Sequence, residues 1–247
     1  MNKEIVMVGG EKGGVGKSMV CKTLVEYHIE RDLPFTVFDT DRSNPDVWRL
    51  FQDRGCELAI FSEARRFQDA ANPIFNAALD GRVLVNLPAQ VFPSMKEWFD
   101  KNEILNIARE EGIQFILVFV TDGEYDSLRK RRKLLKHFQA RVRHLVVKNN
   151  GAVKSEDEHA AWSAFHEDDV LQDLITQVKA NVIEFPAFHG DAELMTIDSQ
   201  SLTFRKALSY KGFGLISRQR VRNFLRQADA AFDSAALFDR AVVPAQN

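Results

Sequence analysis

The sequence predicts an α/β fold, a single doubly wound and mostly parallel sheet with helices on both faces. Three observations predict it. Short apolar, β-rich runs alternate with helix-like stretches along most of the chain. Several of those runs are apolar almost without a break, as in Phe115-Ile116-Leu117-Val118-Phe119-Val120, the pattern of strands covered on both faces. No internal repeat, low-complexity tract or Pro/Gly/Ser linker interrupts the alternation, so one domain is the simplest organisation.

Residues 4–8 form the first expected strand; the run is short and leads straight into glycines, unlike a signal peptide. A glycine-rich turn and a helix over 18–31 follow. Further strands are expected at 35–39, 57–61, 82–87, 115–121, 142–148 and 182–185, with helices at 94–110 and 124–139 between them. Residues 155–169 are acidic and contain histidine, and read as a loop or an exposed helix start. Residues 217–232 predict a basic amphipathic helix, with Val221, Phe224, Leu225, Ala228 and Phe232 on one side and Arg218, Arg220, Arg222 and Arg226 on the other. Structure signals weaken from Asp233, which gives a domain over 1–232 and a flexible tail over 233–247.

Composition narrows the function. The chain has 247 residues, 45% of them apolar, enough for one sizeable core. A net charge of −2 gives no global pull toward nucleic acid or a membrane surface. Cys21 and Cys56 make no disulfide framework, and Cys21 reads as a small buried hydrophobe in a reducing compartment. No stretch reaches the ~18 apolar residues that span a bilayer, so the expected location is cytoplasmic. The six histidines show no zinc-ligand spacing, and Trp48, Trp98 and Trp162 read as core or interface residues.

The chemistry concentrates after the first strand, at Gly9-Gly10-Glu11-Lys12-Gly13-Gly14-Val15-Gly16-Lys17-Ser18-Met19. Strand, glycine-rich loop and helix in this order make a phosphate-binding P-loop. Glycines let backbone N–H groups converge on phosphate oxygens, and the helix turns its positive end toward the anion. Lys17 is placed to reach the β- and γ-phosphates, and the Ser18 hydroxyl to ligate Mg²⁺. Glu11 stands where the general pattern has glycine. The expected cofactors are therefore ATP and Mg²⁺, with Glu11, Gly13, Gly14, Val15, Gly16, Lys17, Ser18 and Met19 around the nucleotide.

The string from Lys12 to Ser18 resembles the deviant Walker A motif of the ParA/MinD/ArsA superfamily. The resemblance implies a P-loop ATPase in which Lys12 reaches across a nucleotide-sandwich dimer to the partner's phosphates. Phe38-Asp39-Thr40-Asp41 is similar to the family's D-x-D segment, which implies Asp39 near Mg²⁺ and Asp41 positioning the hydrolytic water. The family's Walker B strand usually ends in Asp; here Asn86 takes that place, which implies slow hydrolysis with binding less affected. Asn150 or Asn149, before Gly151, is the expected reader of the adenine edge, with Pro186 packing near the base.

The whole chain looks most like the TraL/MobD-type mobilisation branch, through Phe38 to Asp41, the segment 201–208 and Ser217-Arg218-Gln219-Arg220. This implies an ATP-dependent homodimer that switches a process of plasmid or DNA transfer or partition through an unidentified protein partner. Two basic features could meet DNA phosphates nonspecifically: Arg129, Lys130, Arg131, Arg132, Lys133 and Lys136, and the arginines of 218–226. A membrane partner is not expected, because the last helix carries mostly arginine and few large apolar residues. Two other readings stay open: a nucleotide-binding scaffold with little turnover, and an ATP-dependent synthetase of the same fold.

Overall fold

The computed structural model describes residues 2–155 and 157–238. Its elements run β1 (Glu4–Gly9), α1 (Lys17–Glu30), β2 (Thr36–Asp39), α2 (Asp46–Phe51), β3 (Glu57–Leu58), α3 (Asn72–Ala78), β4 (Arg82–Asn86), α4 (Phe92–Lys101), α5 (Ile104–Glu110), β5 (Gln114–Thr121), α6 (Tyr125–Phe138), β6 (Arg143–Asn149), α7 (Glu158–His166), α8 (Asp169–Val178), β7 (Asn181–Phe185), α9 (Asp191–Ser199), α10 (Phe204–Ala207) and α11 (Leu215–Ser234). Short 3₁₀ turns join some of them. The strands form one seven-stranded sheet in the order β3-β2-β4-β1-β5-β6-β7. Every pairing is parallel.

The alternation of side chains along each strand explains the uninterrupted apolar runs. On β1, Val6 and Val8 join the core beneath α1 and α11, whereas Ile5 and Met7 join the core on the other face. The first core also takes Ile116, Val118 and Val120 of β5, and Val221, Phe224, Leu225, Ala228 and Phe232 of α11. The second takes Phe115, Leu117 and Phe119, with Trp98 and Phe99 of α4. A smaller cluster sets Leu128 and Leu135 of α6 against Trp162, Phe165, Leu171 and Ile175 of α7 and α8. With β4 on one side of β1 and β5 on the other, the strand order reverses at β1, where a parallel sheet opens a crevice at its carboxyl edge.

Several expected boundaries move for visible reasons. β3 is two residues long because β2 ends at Asp39; Ala59 N bonds to Asp39 O, and Ile60 N then turns to Ala70 O. The helix expected over 94–110 is broken between α4 and α5, where Glu103 is left-handed at φ 48°. The acidic segment 155–169 holds helix α7, whose Trp162 and Phe165 are buried. α11 begins at Leu215 and ends at Ser234, and Leu237 and Phe238 are buried, so ordered structure runs past the boundary expected at 232. Residues 239–247 of the expected tail lie outside the described residues. Among the described residues, no helix is long and apolar enough to cross a membrane.

Candidate functional site

β1 delivers the glycine-rich loop to the crevice, and α1 begins at Lys17 immediately after it. Two glycines are fixed by close approach. A Cβ on Gly10 would lie 2.6 Å from Val120 O. Gly16 has φ +87°, and a Cβ there would lie 2.2 Å from Asn149 Nδ2. Gly16 is also the N-cap of α1 and offers no side-chain cap. The first amides of a fourteen-residue helix therefore have no side-chain cap and are open to water or an anionic ligand.

Lys17 is buried behind the loop, with Nζ donating to Lys12 O at 3.1 Å. Burial pulls its ammonium pKa down, against the nearby Asp41 and Glu11 carboxylates, so an incoming phosphate would stabilise its charge. Lys12 points the other way. Its Nζ donates to Asp122 Oδ2 at 2.5 Å and to Glu124 Oε2, and both bonds raise its pKa. Lys154 Nζ lies 2.8 Å from Glu124 Oε1. Lys12, followed by Lys154, holds the Glu124 carboxyl down at about 2.

Glu11 has a clear task at the position where glycine is usual. Its Oε1 accepts from Phe92 N at 3.1 Å, at the first residue of α4. Burial raises the Glu11 pKa, and Lys130 closes the same corner by donating to Glu11 O at 3.4 Å.

The two aspartates after β2 diverge. Asp39 is fully buried; Oδ2 accepts from Val47 N and Trp48 N at 3.0 Å each, and Oδ1 from Asp41 N at 3.1 Å and Asn86 Nδ2 at 2.9 Å. These four donors fill the acceptor capacity of a carboxylate, so Asp39 fastens the start of α2 and has no lone pair left for a metal. Asp41 Oδ1 holds its own turn, accepting from Ser43 N, Ser43 Oγ and Asn44 N. Asn86, in register with Asp39 on β4, has a buried Oδ1 with no donor among the described residues. A magnesium-bound nucleotide fits this donor set through the half-buried Ser18 at the head of α1 and the orphaned Asn86 oxygen, with Asp41 near Lys17. No cluster of three or more His, Cys, Asp or Glu fit to hold a metal occurs among the described residues.

The expected base-binding residues also meet here. Asn149 Nδ2 donates to Val15 O at 2.8 Å and its Oδ1 accepts from Gly151 N, so this amide pins the phosphate loop to the end of β6. Asn150 Oδ1 accepts from Trp162 Nε1 at 3.0 Å. The buried Pro186 lies beyond Gly151, whose Cβ would be 3.9 Å from Pro186 O. Met19 faces away, into a small cavity with Leu50, Leu194 and Leu202. Sequence reasoning missed Asp122, Glu124 and Lys154. The signal for the first two was present: they directly follow β5, the neighbour of β1, at the edge where ligands of parallel sheets bind.

The basic surfaces are less continuous than the sequence suggests. Arg131 is buried, with its guanidinium 5.1 Å over the Phe119 ring. Lys130 and Arg129 pair with Asp126, and Arg132 with Asp168. On α11, Arg220 pairs with Glu193 and Arg218 bonds to Tyr210 O. A cavity of about 880 Å³ between α1, α2 and α10 lies at the far end of α1 and is separate from the loop.

Over 99% of this chain and 98% of that chain, the structure superimposes on a chain of the MinC:MinD cell division protein complex of Aquifex aeolicus, with a TM-score of 0.53 at 13% identity. The chain has a MinD-type fold. The MinD cell division protein of Aquifex aeolicus is also similar, at a TM-score of 0.47 and 14% identity over 90% of this chain and 95% of that one. By sequence, the chain is 31% identical over 140 residues to Protein MobD of Acidithiobacillus ferrooxidans. That match takes in 56% of this chain and 58% of MobD. No family model matches. The ParA/MinD-type resemblance drawn from the loop is thus met by fold, and the MobD-type resemblance drawn from residues 38–41, 201–208 and 217–220 is met by the sequence match. Within the MinD-type fold, Asp122 and Glu124 sit at the carboxyl end of the strand beside β1, facing the P-loop.

Proposed function

We propose that this chain binds ATP with magnesium and acts as an ATP-dependent dimerisation switch of the ParA/MinD kind, in the cytoplasm, serving transfer, mobilisation or partition of DNA. The observation that carries the reading is the pair of opposed lysines on one glycine loop. Lys17 is buried and turned inward, while Lys12 is turned outward onto Asp122 and Glu124. The loop amides and the start of α1 hold the triphosphate, and Lys17 neutralises it from behind. Ser18 and Asn86 hold the magnesium, which, when bound, neutralises charge between the phosphates. Lys12 leaves its carboxylates to reach the second copy's nucleotide, and Asp41 orients water for slow hydrolysis. Mobilisation is favoured over other processes by the 31% identity to MobD. A protein partner beyond the second copy belongs to the reading too, whereas DNA contact would fall to the outward Lys133 and Lys136 and to Arg222 and Arg226.

A second reading, a nucleotide-binding scaffold with almost no turnover, is favoured by one observation, the amide at position 86. Calorimetry, light scattering and phosphate release test both. The expected result is magnesium-dependent ATP binding, lost by ~100-fold or more in Lys17→Ala, since a buried charge-assisted contact is removed. ATP should double the mass of the parent chain and leave Lys12→Ala monomeric. Phosphate release at background with dimerisation intact supports the scaffold; absence of ATP binding overturns both.

A further inference from the structure

Asn86 has a geometry that a degraded acid would not need. It ends β4, in register with Asp39 on β2 and Val8 on β1, so it stands against the base of the phosphate loop. Its side chain is wholly buried. Because a carboxylate can only accept, the amide must turn Nδ2 toward Asp39 Oδ1, 2.9 Å away. That orientation leaves Oδ1 on the other side, buried and without a donor. Asp39 is meanwhile saturated by three backbone amides and this one side chain. One residue supplies the last donor to the buried charge, and the same residue carries the acceptor left over.

We propose that Asn86 and Asp39 form one amide–carboxylate unit with a single negative charge, in which Asn86 locks Asp39 onto the start of α2 and presents a neutral oxygen to the magnesium–nucleotide. The second half rests on the ATP-binding reading above; the first half does not. On this view Asn86 is a positioning residue, and an acid at position 86 is no improvement. A carboxylate there would face Asp39 at about the same separation, and with no cation between them two like charges in a buried site cannot both persist. The unit also explains how α2 starts without a capping side chain of its own: its N-cap is Pro45, and the anion comes from the neighbouring strand.

Three variants of the full chain test this: Asn86→Asp, Asn86→Ala and the swap Asp39→Asn/Asn86→Asp. Each is read by thermal melting without nucleotide, and by calorimetric ATP affinity with magnesium and with EDTA. Asn86→Asp is expected to melt on the order of 5 °C or more below the parent, because it buries an unpaired like charge. The swap again places one amide opposite one carboxylate and should recover at least half of that loss, a non-additivity expected only of direct partners. Asn86→Ala should bind metal-free ATP nearly as the parent does, while losing most of the gain in affinity that magnesium confers; the swap should keep that gain. A merely structural residue would lower both affinities together. Asn86→Asp melting with or above the parent, or a swap no better than the sum of its parts, overturns the unit. Full magnesium dependence in Asn86→Ala overturns the neutral acceptor. A parent chain that binds no nucleotide overturns the proposed function, and melting then decides the unit by itself.

Discussion

His28 is held neutral by what surrounds it. Arg82 donates to its Nε2 at 3.0 Å, so that nitrogen must keep its lone pair, and the Nδ1 proton goes to Leu24 O at 2.8 Å. Burial above all, and the N–H that protonation would aim at the Arg82 guanidinium, lower the pKa from 6.5 to about 4. His144 is lowered to about 4 as well, by burial and by Arg131. Since both folded values lie below the unfolded one, the unfolded chain binds more protons once pH drops under 6.5. Stability should thus be undiminished by these residues above about pH 6.5 and fall as pH goes from there to about 4. Melting temperatures measured over that window should fall less in His28→Gln than in the parent; equal slopes would remove His28 from the account.

At the scale of elements, the phosphate loop and helix α4 are joined through one carboxylate. Glu11→Ala takes the acceptor from Phe92 N and should cost about 1 kcal/mol, the usual worth of a helix-start contact, with weaker nucleotide binding because the loop loses its anchor. Chemical denaturation and calorimetry on this variant measure both effects. That link could not be read from the sequence, where Glu11 is only a departure from a glycine pattern. The loop itself was legible, because glycines, lysine and serine between a strand and a helix leave few physical alternatives. Strands were legible too, since burial on both faces makes them continuously apolar; β1 and β4–β7 end within a residue or two of expectation. What stayed hidden depended on distant pairing. The short β3 follows from where β2 stops, and the burial of Trp162 and Phe165 in α7 follows from α6 and α8 lying beneath them. Arg131 looked like one more exposed cation because a run of basic residues conceals the helical period that turns one of them inward.

At the scale of the whole molecule, the described residues form separate apolar clusters on the two faces of the sheet, and the end of the described chain ties into the one that holds α1 and α11. Phe238 packs edge-on against His28, Tyr27 and Phe232, and its carbonyl accepts from Arg82, which is itself paired with Glu4 at the start of β1. Phe238→Ala should therefore destabilise the entire domain by about 3–5 kcal/mol, the range for a buried aromatic, in one cooperative transition. Denaturant melts followed by two optical probes would check that, and a loss under 1 kcal/mol would show that the segment merely rests on the surface. The packing of α7 carries another implication. Trp162 packs so closely on Gly123 that a Cβ there would come within 2.9 Å of its ring, and its indole nitrogen bonds to Asn150. One indole thus touches both the turn that restrains Lys12 and the turn expected at the base. Its emission should change wavelength or intensity when ATP is added, giving the protein a built-in optical gauge of occupancy, one that Trp162→Phe would silence while Trp48 and Trp98 go on glowing.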